Sequence, residues 1–247
     1  MAGPMKGLVC AGGEATRLEE LTRVTNKHLL PVGRWPMVYY PLQLLQRAGV
    51  TEVLLVTGQQ HAGQFIDLLG NGRVASRNGE ALLFDLDLSY KVQVEAGVIA
   101  QVVGMARDFA AGEKLVVCLG DNIFEQAQAT AIRAWAADGD GALVFAKEVP
   151  DPENFGVVVY GGDGAVTDIV EKAGTVDTRY DSPPSNDAIV GLYCYPPDVF
   201  DIIDGLEPSS RGELEVRRVE GWWHDGGKHW GDLAEVGRLI EETGVNK

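Results

Sequence analysis

Cysteine and histidine are both scarce in this chain. Cys10, Cys118 and Cys194 are the only cysteines among 247 residues, and each lies far from the others in an apolar run. A disulfide framework is thereby excluded, and buried reduced thiols are expected. None of the four histidines has a partner at metal-ligand spacing, so no zinc site is expected. Basic residues are also few: 21 Lys and Arg stand against 36 Asp and Glu, for a formal charge of −15. Nucleic acid is therefore excluded as a partner, because phosphate backbones are met by basic surface. No run reaches the roughly 18 to 20 apolar residues that cross a bilayer, and no apolar leader opens the chain, so a cytoplasmic protein off the membrane is expected. Internal repeats and low-complexity segments are missing too. So are the Gly-x-Gly-x-x-Gly fingerprint and the Gly-Lys-Ser/Thr of a Walker loop.

Apolar residues make up 45% of the chain, enough for a full core. Residues 1–247 read as one domain in two halves, about 1–140 and 141–247. In the first half, strand patterns at Gly7–Ala11, Glu52–Thr57, Ser89–Gln93 and Lys114–Leu119 alternate with helical ones at Pro36–Ala48, Gln60–Leu69 and Ile99–Phe109. Pro41 is expected to interrupt the first helix. This rhythm is that of an α/β protein, a Rossmann-like doubly wound sheet with helices on both faces. Such sheets bind ligands beyond the carboxyl ends of their strands, where Gly12, Gly13 and Asp121 fall. The second half is richer in strands: Ala142–Val149, Gly156–Tyr160, Ala165–Glu171 and Ala188–Tyr195, with a hairpin turn at Gly161–Gly164. A smaller β subdomain closing over the first half is expected. Thr175–Asp187 reads as a mobile loop, and Trp230–Thr243 as a helix packing back onto the body.

The chemistry begins at Ala11-Gly12-Gly13-Glu14-Ala15-Thr16-Arg17-Leu18. An apolar strand that empties into small residues lets backbone approach a ligand, and Arg17 and Lys27 then supply positive charge, a combination suited to a polyphosphate. In Leu119-Gly120-Asp121-Asn122, a carboxylate emerges directly after an apolar strand, where it can hold a hard cation that bridges phosphates or cap a following helix. Asp225, in Trp222-Trp223-His224-Asp225-Gly226-Gly227, is a candidate second ligand. Glu171-Lys172 offers an acceptor for sugar hydroxyls and a cation for a phosphate, or a plain surface ion pair. Asp85-Leu86-Asp87 and Asp138-Gly139-Asp140 match the Asp-x-Asp pattern of metal-dependent glycosyltransferases, which leaves that class open. Trp222 and Trp223 either turn inward or stand as an exposed apolar patch, and a self-association interface near Trp222, Trp223 or Trp230, making a homo-oligomer, is expected.

Over nearly its whole length the sequence resembles the sugar nucleotidyltransferases, most closely the glucose-1-phosphate thymidylyltransferases. The residues that carry the likeness include Lys6–Leu18, Thr25-Asn26-Lys27-His28-Leu29-Leu30-Pro31-Val32, Tyr90-Lys91-Val92-Gln93, Leu119–Phe124, Phe155-Gly156-Val157-Val158, Glu171-Lys172, Gly191-Leu192-Tyr193, Ser210–Glu215, and Trp223 with Asp225. The resemblance implies that a nucleoside triphosphate and a sugar 1-phosphate give an NDP-sugar and pyrophosphate by one in-line attack on the α-phosphorus. It further implies that Arg17 and Lys27 face the phosphates beside Gly12 and Gly13, and that Asp121 and Asp225 hold Mg2+. By the same likeness Gln93 and Gly97 meet a pyrimidine, and Gly156, Glu171 and Lys172 hold the sugar phosphate. A weakly active paralogue that binds a sugar nucleotide as a regulatory subunit is the alternative.

Overall fold

The structure, a computed structural model, describes residues 4–13, 18, 22–76, 82–94, 99–125, 128–139, 141–204, 214–218, 223–225, 238–240 and 242. The chain opens with β1 (Met5–Ala11), the short antiparallel pair β2 (Pro31–Val32) and β3 (Trp35–Pro36), then α1 (Tyr39–Ala48), β4 (Glu52–Gly58) and α2 (Ala62–Leu69). There follow β5 (Arg73–Ala75), β6 (Leu82–Asp85), β7 (Asp87–Gln93), α3 (Ile99–Met105), α4 (Arg107–Ala110), β8 (Lys114–Leu119), β9 (Asn122–Phe124) and α5 (Ala129–Asp138). The second half carries β10 (Ala142–Glu148), β11 (Gly156–Tyr160), β12 (Val166–Glu171), β13 (Asp187–Tyr195), α6 (Val199–Asp204), β14 (Leu214–Arg218) and β15 (Trp223–Asp225).

Among the described residues, nine strands form one mixed sheet. β7, β4, β1 and β8 run parallel to one another, and β13 then joins β8 antiparallel, linking on to β11 with β12 and to β10 with β14. β1 shows why its run is apolar throughout. Leu8 packs toward α3, α4 and α6 with Leu54, Val117 and Phe200, and Cys10 joins them at the edge of that core. Val9 and Ala11 face the opposite layer of α1, α2 and α5 with Leu42, Phe65 and Ile132. A strand covered by helices on both faces has no polar side to alternate with.

Several element boundaries differ from the sequence expectations. The first helix starts at Tyr39 rather than Pro36, and Pro41 sits in its first turn, where backbone N–H groups have no helical partner and the missing donor costs nothing. The run expected as one helix over Ile99–Phe109 breaks at Ala106, whose N–H reaches back only to Val103 O, at 2.9 Å. Lys91 Nζ, reaching from β7, takes the Met105 carbonyl at 2.7 Å. Thr175–Asp187, expected as a mobile loop, is tied to its surroundings. Arg179 bridges Asp177 and Asp168, Ser185 Oγ donates to Val158 O at 2.6 Å, and Asp187 already belongs to β13. In the tail, Ile240 is buried against Val32, Met37, Tyr40 and Ile123, as a returning helix requires. Most of Trp230–Thr243 lies outside the described residues, as do Trp222 and Trp230.

The Asp-x-Asp of Asp85-Leu86-Asp87 falls where β6 ends and β7 begins. Since β7 runs parallel to β1, this pair lies at the amino-terminal edge of the sheet, the opposite edge from Gly12 and Asp121. Asp85 is engaged there by Arg73 at 3.5 Å. Asp138 ends α5, and Asp140 lies outside the described residues. No helix among the described residues is long and apolar enough to cross a membrane.

Candidate active site

β1, β4, β7 and β8 end side by side, and beyond their carboxyl ends lies a cleft of about 190 Å3 lined by Gly12, Gly13, Lys27, His28, Gln93 and Asp121, among others. This is the ligand-binding edge of an open parallel sheet. Gly13 turns the chain with φ of 98°, a conformation that glycine adopts without strain.

Lys27 opens a single 3-10 turn, Lys27–Leu29, and Asn26 caps it. Asn26 Oδ1 accepts from the His28 backbone N–H at 3.0 Å and meets the imidazole Nδ1 at 2.6 Å, while its Nδ2 donates to Ala11 O at 3.2 Å. One buried side chain thus ties the turn that carries Lys27 to the last residue of β1. Lys27 Nζ in turn donates to Asp121 Oδ2, the carboxylate that follows β8. The other oxygen, Oδ1, accepts from Asn122 Nδ2 at 3.0 Å, and Asn122 Oδ1 accepts from Gly191 N of β13 at 3.1 Å. The carboxylate is held from two sides.

Electrostatics follow from this placement. Burial opposes the charge on Asp121, but the Lys27 ammonium and the hydrogen bonds from Lys27 and Asn122 outweigh it and hold the carboxyl below its usual range. His28 is buried, and that desolvation, with Lys27 beside it, drops its imidazole to about 3 against the opposing pull of Asp121. It is therefore a neutral packing group at physiological pH. Gly120 makes room for it: a Cβ there would lie 2.7 Å from His28 Cδ2 and 3.0 Å from Cys10 O.

A second group of expected residues gathers on β11 and β12. Gly156 and Glu171 are directly opposed in register, and a Cβ on Gly156 would lie 2.7 Å from Glu171 Oε2. Lys172 follows in the left-handed region with φ of 46°, its ammonium 3.9 Å from Glu171 Oε1. Its conformation is braced by the next turn, whose Thr175 N–H, Val176 N–H and Thr175 hydroxyl all donate to the Lys172 carbonyl. Burial pushes the phenol of Tyr193 on β13 well up, and Cys10, Glu171 and Asp121 add to the effect. Asp225, at the end of β15, pairs in register with Asn122, which brings its strand beside the residue that follows Asp121. Arg17 and Gly97 lie outside the described residues.

Among the described residues no three His, Cys, Asp or Glu side chains form a ready cation cage. A Mg2+ carried in on phosphates needs only one or two carboxylates. A buried, ionised Asp121 facing the cleft, with β15 paired beside it, suits such an ion. The sequence reading missed Asn26, His28 and Asn122 as site residues, although an Asn directly before a short turn is a recognisable capping signal.

A doubly wound sheet with a cleft at its carboxyl edge, and an ammonium and a carboxylate paired in it, defines an α/β protein with a polar ligand-binding edge. The chain belongs to the nucleotidyl transferase family, whose profile matches residues 6–230, and within it to the sugar 1-phosphate nucleotidyltransferases. It is 33% identical to the low-salt glycan biosynthesis nucleotidyltransferase Agl11 of Haloferax volcanii, over 96% of this chain and 66% of that protein. A glucose-1-phosphate thymidylyltransferase of Xanthomonas campestris is 37% identical over 90% of this chain and 70% of that enzyme. The chain spans about two thirds of the length of these relatives. A Bacillus anthracis structure assigned as a glucose-1-phosphate thymidylyltransferase superposes with a TM-score of 0.82 at 34% identity, covering 96% of both chains.

Proposed function

We propose that this chain condenses a pyrimidine nucleoside triphosphate, dTTP or UTP, with a sugar 1-phosphate, glucose 1-phosphate first among them, to give an NDP-sugar and pyrophosphate. The observation that carries the reading is the Lys27–Asp121 pair at the carboxyl ends of β1 and β8, in a cleft shared with Gly12, Gly13 and Gln93. Likeness to thymidylyltransferases over most of the chain supports the choice of substrates.

In this reading a phosphate oxygen of the sugar 1-phosphate attacks the α-phosphorus in line. The bond to the β-phosphate oxygen breaks, and pyrophosphate leaves with the electron pair. Backbone at Gly12 and Gly13 cradles the triphosphate, while Lys27 and Arg17 neutralise charge that grows on the leaving group. Gln93 and Gly97 meet the base. Glu171 accepts from sugar hydroxyls, and Lys172 faces the sugar phosphate across the bare backbone of Gly156. Asp121 and Asp225 would hold Mg2+, which when bound offsets phosphate charge and fixes the phosphate geometry. The neutral His28 adds no charge beside the pair that Lys27 forms with Asp121. The enzyme is read as a cytoplasmic homo-oligomer.

The test is pyrophosphate release from a panel of triphosphates and sugar 1-phosphates with Mg2+. Release with dTTP or UTP and a hexose 1-phosphate is expected. Tight binding of a sugar nucleotide with no release in any combination would replace this reading with that of a regulatory binder.

A further inference from the structure

Lys27 and Asp121 have separate partners in the function proposed above, a phosphate for one and a cation for the other. In the free chain each is engaged by the other instead. Lys27 Nζ donates to Asp121 Oδ2, and Asn122 Nδ2 donates to Oδ1 at 3.0 Å. The Asn122 amide cannot turn end for end, because its own oxygen accepts at 3.1 Å from the backbone N–H of Gly191, a group that can only donate. Both oxygens of the carboxylate therefore face a donor. The donor on Oδ2 is itself a cation, set against an atom that a metal ion would use as ligand. The two side chains are only 17% and 12% exposed, so little water screens the repulsion between the ammonium and a second cation there.

The surroundings of the pair decide which member can move. Asp121 and Asn122 are held to β13 through Gly191, and the turn that carries Lys27 is tied to β1 by the hydrogen bond from Asn26 Nδ2 to Ala11 O. What is left free to swing is the flexible stem of Lys27, with an ammonium that can re-aim its donors. Gly12 and Gly13 line the same cleft, so a phosphate cradled there offers the ammonium an anion other than Asp121.

We propose that the Lys27–Asp121 pair is a latch on the cation site: in the free chain the ammonium blocks the carboxylate, and a polyphosphate that enters beside Gly12 and Gly13 draws it off and frees Asp121 for a divalent cation. The inference rests on the partners assigned to these two residues in the function proposed above. It adds an order and a linkage: the cation enters with the polyphosphate or after it, and each raises the affinity of the site for the other.

The test needs no turnover. Binding of Mn2+ alone is followed by electron paramagnetic resonance in the unaltered chain, Lys27→Met, Asp121→Asn and the double variant, the last giving the background from surface carboxylates. Lys27→Met is expected to bind Mn2+ about ten-fold more tightly than the unaltered chain, through a site that Asp121→Asn removes. Metal-free tripolyphosphate, followed by titration calorimetry, reads the other half: Asp121→Asn should bind it about ten-fold more tightly than the unaltered chain, and the double variant should not. Lys172→Met removes the same charge without touching Asp121 and should leave Mn2+ binding as it is. Circular dichroism reports the folding of each variant, and if one does not fold the arm built on the other decides. Binding of Mn2+ alone that is as tight in the unaltered chain as in Lys27→Met, no gain for tripolyphosphate in Asp121→Asn, or an equal gain in Lys172→Met overturns the latch. Both gains without pyrophosphate release from any substrate pair would leave the latch in place and remove the proposed function instead.

Discussion

Gly120→Ala places one methyl group at the point where the site is most tightly packed. The added Cβ would lie 2.7 Å from His28 Cδ2, 3.0 Å from Cys10 O and 3.2 Å from His28 Nε2, where ordinary contacts begin at about 3.4 Å. None of these neighbours yields easily. Cys10 O is backbone at the end of β1, accepting from the Gly120 N–H at 2.9 Å, and the His28 ring is clamped by Asn26 at 2.6 Å. Overpacking of this kind costs ~1–3 kcal/mol. For a chain of this size that is a fall of roughly 2 to 12 °C in Tm. The larger effect should be on turnover, because relief of the clash moves either the turn that carries Lys27 or the residue that follows Gly120, Asp121. Differential scanning calorimetry beside pyrophosphate release measures both. A variant that melts within a degree of the unaltered chain and turns over normally would refute the idea that His28 is a fixed wedge between β1 and β8.

Asp121→Asn and Asp225→Asn should each depress turnover strongly and weaken Mn2+ binding in the presence of triphosphate, read by electron paramagnetic resonance; unchanged binding in both would remove these residues as cation ligands. Lys27→Ala should act on the triphosphate and Lys172→Ala on the sugar phosphate, so steady-state kinetics should show KM rising for different substrates, and a shared effect on one substrate would abolish that division of labour. His28 makes stability depend on pH in a definite direction. Its folded value of about 3 lies below the ordinary 6.5, so as pH falls below 6.5 the unfolded chain takes up a proton that the folded chain refuses. Stability is fully present above that point and should decline by ~2 kcal/mol by pH 5. Urea unfolding of the unaltered chain beside His28→Gln should show this slope in the first protein and a shallower one in the second.

Much of the parallel core was legible in the sequence because β1, β4 and β8 are buried on both faces and read as unbroken apolar runs. The segments that escaped were short. β9 and β15 have three residues each and exist because they pair with one another across about a hundred positions, which no local pattern records. The site shows the same division. Lys27 and Asp121 stood out singly, one as a cation after a glycine turn and one as a carboxylate after a strand, but their contact spans 94 positions and depends on β1 and β8 being neighbours. Asn26 and His28 were the least visible. Their roles come from burial, which turns a polar pair on a surface turn into a brace, and burial belongs to the assembled fold. Lys172 in the left-handed region is a similar case, since nothing in its side chain favours that backbone and the following turn imposes it.

β13 gives the sheet a seam that is out of step with the order of synthesis. Its residues Leu192 to Tyr195 bond to β8, which leaves the ribosome some seventy-five positions earlier, while its other ladder pairings are with β10 and β11. Until residue 195 emerges, β8 has an edge with open N–H and C=O groups, the kind of surface on which unfinished chains associate. The same geometry constrains recombination. A chimera joined near residue 140, where the helices of the first half give way to strands, would cut this sheet between two hydrogen-bonded neighbours. A junction after β13, in the turn before α6, would keep the donor strand with the edge it closes.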